Sequence, residues 1–267
     1  MQSYNNIAVH LEKGILRIKF NRPSVGNALS LAMVNEIGAV LTTIEHDDEV
    51  RVLVFSGEGT HFCAGGDIKD MADARRAPFG GEDPIALLNR EFGTIITRVQ
   101  NFPKPVVMVV TGAAMGGGFG LVCVGDVILC DSTAKFRLPE TGLGLPPAQI
   151  APFLVSRLGL SKARRLALTG ASLNAEEALA IGLVDFCVEP EGLDALLSQQ
   201  LEAILRCAPK ASAITKQILL DVGKTDHETL LDQAAQSFAH CARGAEGMEG
   251  MMSFIQKRKP NWVQEQS

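Results

Sequence analysis

The pattern of apolar and polar positions divides the chain into a front of alternating strands and helices and a back that is almost wholly helical. Ile7 to Leu11 and Ile15 to Phe20 flank Glu12-Lys13-Gly14, which predicts a hairpin ended by Asn21-Arg22-Pro23. Leu31, Val34, Ile37, Leu41 and Ile44 recur at helical spacing behind Ser30, a residue suited to cap a helix. Val52 to Phe55, Val106 to Val110 and Val127 to Cys130 are short, continuous apolar runs, the mark of buried strands. Met71 to Pro84 breaks every period and is expected to be a mobile loop. From Pro84 to Asn101 helical spacing resumes through Ile85, Leu88, Phe92, Ile95 and Val99. Past Ile150 the pattern predicts a helix from Ser161 to Thr169 and a capped helix from Asn174, with Glu177 three residues on, to Ile181-Gly182. A short strand follows over Val184 to Val188, then helices over Leu193–Cys207, Ala211–Val222, His227–Cys241 and Ala245–Gln256. Strand returning after helix argues for an α/β core over residues 1–190, built from repeated ββα units, with a helical extension over 191–267.

One stretch, Lys104 to Glu140, organises the candidate chemistry. Gly116, Gly117 and Gly118 stand between the strand Val106–Val110 and the apolar, helix-compatible segment Phe119–Val124. Bare amides at a helix N-terminus can grip developing negative charge. A triple glycine by itself equally well makes a tight turn. A second small-residue loop, Cys63 to Met71, also follows an apolar strand and leads into a helix. Two such junctions can aim two amides at one oxygen. The same stretch delivers a carboxylate, Glu140, whose neighbours Phe136, Leu138 and Pro139 are of the kind that desolvate it and raise its pKa.

Composition narrows the field. Of 267 residues, 46% are hydrophobic and 21% charged, enough for a sizeable core. A net charge of −5 argues against nucleic acid as a general partner, though not against a ligand phosphate held by a local basic cluster. Six scattered cysteines without a C-x-x-C pair suit a reduced, intracellular setting, taken as cytoplasmic. The N-terminal stretch does not read as a signal peptide, and no apolar run is long enough to span a membrane. The five histidines show no metal-ligand spacing, and neither a G-x-S-x-G elbow nor a phosphate-loop Gly-Lys-Ser/Thr is present, so no metal site and no activated serine are expected.

The motifs and their order resemble the enoyl-CoA hydratase/isomerase (crotonase) family. The resemblance rests on Ala64-Gly65-Gly66-Asp67-Ile68, Lys104-Pro105-Val106, Gly112 to Gly118, Asp126-Val127, Phe136 to Glu140 and Leu168-Thr169-Gly170, and it runs from Asn21 to Lys259. It implies a crotonase-like spiral of ββα units with a C-terminal helical trimerisation extension, assembled as a homotrimer or a dimer of trimers. It implies an acyl-CoA thioester as substrate, with coenzyme A entering as part of that substrate and no prosthetic group. The family correspondence makes the backbone amides of Gly66 and Gly117 the oxyanion donors and Glu140 an acid/base. Ala64, Asp67, Ile68 and Lys69 fall in the loop around the CoA, with Arg22 as a further candidate near the nucleotide. Phe238 and Lys257 match positions that reach a neighbouring subunit's nucleotide; a basic helix end is also an ordinary complement to the helix dipole.

In one respect the chain departs from that pattern. Most hydratases of the family carry a second glutamate just after the triple glycine, and the aligned residue here is Gly120. That leaves open a hydratase in which Gln149 orients the water while Glu140 alone moves protons, an isomerase using Glu140 alone, and a non-catalytic acyl-CoA binding protein. The wording from Phe136 to Gly159 further resembles the branch of the family that hydrates isohexenylglutaconyl-CoA in acyclic terpene breakdown. Arg75, Arg76, Arg90 and Arg137 are then candidates to pair with a second substrate carboxylate.

Overall fold

The computed structural model describes residues 3–78 and 80–263. Phe79, inside the expected loop, and the last four residues of the expected helical extension lie outside the described residues. The elements, in chain order, are β1 (Ile7–Glu12), β2 (Ile15–Phe20), α1 (Leu31–Ile44), β3 (Val52–Gly57), α2 (Ile68–Arg76), α3 (Pro84–Gln100), β4 (Val106–Val110), β5 (Ala113–Met115) and α4 (Gly117–Val122). They continue with β6 (Val127–Asp131), β7 (Lys135–Arg137), α5 (Ala151–Leu158), α6 (Leu160–Thr169), β8 (Ser172–Asn174), α7 (Ala175–Ile181) and β9 (Phe186–Val188). The chain closes with α8 (Leu193–Leu205), α9 (Pro209–Asp221), α10 (His227–Arg243) and α11 (Ala245–Ile255).

The expected α/β layout is present. The main sheet has the order β1-β2-β3-β4-β6-β9; β1 and β2 pair antiparallel and the rest run parallel. Its two faces alternate into two cores. Leu53, Phe55, Val106, Met108, Ile128 and Cys130 face the larger core. Val52, Val54, Val107, Val109 and Leu129 face the other, which α8 covers with Leu193, Leu197 and Leu201. Burial on both sides explains why β3 and β4 read as unbroken apolar runs rather than alternating ones.

A second, smaller layer was not legible in advance. β5, β7 and β8 form a three-stranded sheet, and single bridges extend it: Cys63 pairs with Ala114, and Leu29 pairs with Gly66. Each turn of the chain thus lays one strand in the main sheet and a short extended segment in the second layer. Segments of three residues are too short for a period-two pattern to emerge.

Several boundaries move. Met71 to Pro84 is not one loop: α2 runs through Arg76, with Asp67 as its N-cap accepting from the Lys69 amide at 2.8 Å. Only four apolar residues lie in α2 and none is buried, so no periodic signal could mark it. The helix after the glycines starts at Gly117, two residues before the apolar run. Helix α5, unanticipated, follows Gln149-Ile150. The capping box at Asn174 and Glu177 forms with both reciprocal bonds, 2.8 and 2.9 Å.

Candidate active site

The site is assembled at the ends of neighbouring segments in the second layer. The Cys63 carbonyl accepts from Met115 and the Gly65 carbonyl accepts from Leu29, at 2.9 and 2.8 Å. These bonds set the Ala64–Asp67 loop beside the end of β5, so that a Cβ built on Gly116 would lie 3.7 Å from the Gly65 Cα. The Gly116 amide donates to the Arg137 carbonyl at the end of β7, 2.9 Å away. β7 then hands the chain on to Glu140. Parallel neighbours deliver their C-terminal ends to one edge, and that is where such sheets place their ligands.

Glu140 sits hard against the glycine turn. Its Oε1 lies 2.8 Å from where a Gly116 side chain would begin, and Gly116 has φ +49°, so this position requires glycine on both counts. Its Oε2 is buried without a hydrogen-bond partner among the described residues. Desolvation raises the Glu140 pKa above that of an ordinary glutamate, opposed only by its own backbone amide. A buried, unpaired carboxylate oxygen is costly in a folded protein and points to a task for it.

The two candidate donors stand ready on the same edge. Neither the Gly66 nor the Gly117 amide donates a hydrogen bond among the described residues. Gly117 is the first residue of α4, where the helix leaves its amide free. α4 is buried along its whole length and is tied to β7 by an edge-to-face contact of Phe119 with Phe136, centroids 6.1 Å apart. That pair couples the placement of Gly117 to the strand that carries Glu140.

Around this centre the structure adds residues that the periodicity could name only as helix-formers. The Phe92 ring tip lies 3.0 Å from the position of a Gly117 side chain, with Leu29 next to it at 3.2 Å. One turn along α4, a Gly120 side chain would meet Ile150 at 2.9 Å and Ile96 at 3.1 Å. The place of the missing second glutamate is therefore filled by two branched apolar side chains. Gln149, next to Ile150 in the chain, turns its Oε1 onto the spot where a Gly93 side chain would start.

The remaining candidates separate into groups. Ala64, Gly66, Ile68 and Lys69 are exposed along the loop, Ile68 to 82%. Arg22 and Asp67 engage each other at 2.7 Å, and Arg22 also donates to the Ala28 carbonyl. Burial would raise the Asp67 pKa, but the Arg22 bond and the amides of α2 outweigh it and hold the carboxyl below its usual value. This pair braces the loop. Arg137 is taken up by the Gly170 carbonyl at 2.9 Å. Phe238, 76% exposed on α10, and Lys257, just past α11, hydrogen bond to none of the site residues among the described residues.

Comparison with known proteins agrees with this architecture. Residues 10–265 match the family model described as enoyl-CoA hydratase/isomerase. The short-chain-enoyl-CoA hydratase of Clostridium acetobutylicum is 32% identical, over 96% of each chain. An enoyl-CoA hydratase/isomerase from Marinobacter aquaeolei is 48% identical with TM-score 0.95, covering 97% of this chain and 99% of that one. Pseudomonas aeruginosa AtuE is 50% identical with TM-score 0.94, covering 97% and 100%. With a spiral of this form and loops set in this order, the chain belongs to the enoyl-CoA hydratase/isomerase family, whose members act on acyl-CoA thioesters.

Proposed function

We propose that this enzyme is a lyase that adds water to a branched 2-enoyl-CoA of glutaconyl type, isohexenylglutaconyl-CoA or a close relative, as formed in acyclic terpene breakdown. The observation that carries the reaction is the unpaired buried oxygen of Glu140, seated against Gly116 beside two unused amides. In this reading the Gly66 and Gly117 amides hold the thioester oxygen as it gains charge. Glu140 takes a proton from water as the water oxygen bonds to C3, and a proton returns from Glu140 to C2. Gln149 orients that water. Ala64, Ile68 and Lys69 receive the CoA, with Arg22 and Asp67 bracing the loop, and Phe238 and Lys257 serve the CoA of a neighbouring subunit. The extension from residue 191 onward is proposed to build a homotrimer or a pair of trimers. Its apolar exposure, including Phe254 at 85% and Ile255 at 73%, supports that role.

A second reading is favoured by the apolar filling at Gly120, which removes the usual partner carboxylate. An isomerase needs one base only: Glu140 would take a proton from C4 and return it to C2. Enoyl-CoAs incubated in deuterated water separate the two. Hydration abolishes the enoyl absorbance, whereas isomerisation moves the double bond. Crotonyl-CoA and branched glutaconyl-CoAs form the panel. Full activity in Glu140→Gln would refute both readings.

A further inference from the structure

Four arginines were candidates to read a second carboxylate on the acyl group, and the structure sorts them. Arg137 gives its Nε–H to the Gly170 carbonyl, and Arg75 and Arg76 lie in the last turn of α2. Arg90 is placed differently. It is exposed, yet its side chain runs forward along α3, so that Nη1 lies 2.9 Å from where a Gly93 side chain would begin. The Gln149 carboxamide occupies the same spot from the other side. Gly93 itself is buried, and only its missing side chain leaves room for both groups. Among the described residues neither the Arg90 guanidinium nor the Gln149 amide has a hydrogen-bond partner, and Arg90 has no carboxylate partner.

This corner adjoins the candidate centre. Phe92, the neighbour of Gly93, is the ring that touches Gly117, and consecutive Cα atoms are about 3.8 Å apart. Ile150, the neighbour of Gln149, fills the Gly120 end. A guanidinium without a carboxylate partner among the described residues, next to an apolar wall, suits a planar anion.

We infer that Arg90, with Gln149 beside it over Gly93, is a specificity-determining residue that binds the distal carboxylate of a dicarboxylic acyl-CoA. The inference rests on the proposed placement of the thioester at Gly66 and Gly117 and names the group that selects its acyl end.

The test uses saturated ligands, which cannot be hydrated or isomerised. Glutaryl-CoA and butyryl-CoA are titrated calorimetrically into the full-length wild type, Arg90→Gln and Arg90→Lys. Wild type is expected to prefer glutaryl-CoA by about 10-fold or more, as a charge-assisted hydrogen bond provides. Arg90→Gln is expected to erase that preference and Arg90→Lys to keep part of it. Equal wild-type affinities, or a preference that survives in Arg90→Gln, would overturn the inference. Because neither ligand reacts, this result stands apart from the Glu140 reading: a fully active Glu140→Gln with an intact Arg90-dependent preference sinks the mechanism and spares the carboxylate site.

Discussion

Two positions on α4, Gly117 at its start and Gly120 one turn on, have contrasting surroundings. At Gly117 the helix presents a free amide, with a desolvated carboxylate lodged one residue away at Gly116. At Gly120, one turn on, Ile150 and Ile96 press against the backbone. Apolar side chains crowd both glycines, Phe92 and Leu29 at the first and Ile150 and Ile96 at the second, but only the first adjoins a polar group. Loss of the second carboxylate is therefore not a simple deletion, because the surrounding side chains occupy its space. A helix with one polar and one apolar neighbourhood leaves Glu140 as the single candidate for proton transfer among the described residues around it.

Four experiments break or sharpen that contrast. The largest effect is expected at the polar end. Glu140→Gln removes the proposed acid/base while keeping its shape and should cut turnover by about 100- to 10,000-fold in steady-state kinetics. The mutation also relieves a buried carboxylate, so the variant should melt slightly higher than wild type at neutral pH. The pH profile carries the same signature. Burial raises the Glu140 pKa, and the base must be ionised to accept a proton, so kcat/KM should fall on acidification at a pH above that of an ordinary glutamate. An acid limb at or below the ordinary value would remove Glu140 as the base.

Next comes the amide pair. A Gly66 side chain would meet only the Met71 sulfur, at 4.0 Å, and Gly66 has no positive φ. Gly66→Ala should therefore keep most activity, while Gly66→Pro, which deletes the donor, should lose about 100-fold or more. Equal loss in both variants would point to loop shape instead of a hydrogen bond.

The apolar neighbourhood should answer with stability. Gly120→Ala forces a methyl to within 2.9 Å of Ile150 and should cost about 1–3 kcal/mol in denaturant titration, with Gly120→Glu costing more and yielding no second acid/base. A stable Gly120→Glu with faster crotonyl-CoA hydration would show that the wall yields. The smallest effect is expected at Gly93→Ala, whose methyl would collide with the Gln149 amide. Its loss of turnover should match that of Gln149→Ala and stay below that of Gly66→Pro, about 10-fold if the water is misplaced. An unaffected Gln149→Ala would remove Gln149 from the chemistry.

How far the chain could be read in advance follows from where its signals are strong. The parallel strands were plain because burial on both faces leaves continuous apolar runs, as in Val52–Phe55 and Val106–Val110. Asn174 with Glu177 announced a helix start through a local bond pattern, and the bonds are there. α2 was hidden because its stability comes from a cap and its loop, with no buried face to create a period. The candidate donors and Glu140 stood out through glycine and proline punctuation and a family resemblance. The residues that wall the site did not: Phe92 and Ile96 read as ordinary apolar members of a helix, and Gly93 carried no signal at all.

The linear order of residues determined that an α/β core exists, where its glycine turns lie, and that Gly120 cannot move a proton, since these depend on local backbone freedom and side-chain chemistry. Only the tertiary structure decided what those turns face. The second layer, held by bonds such as Met115 to Cys63 and Gly116 to Arg137, brings segments dozens of residues apart to one edge. There Glu140 becomes desolvated, Gly120 becomes a wall and Arg90 comes to share a corner with Gln149. Such properties arise from which atoms exclude water from which others, and proximity of that kind is not encoded in any single stretch.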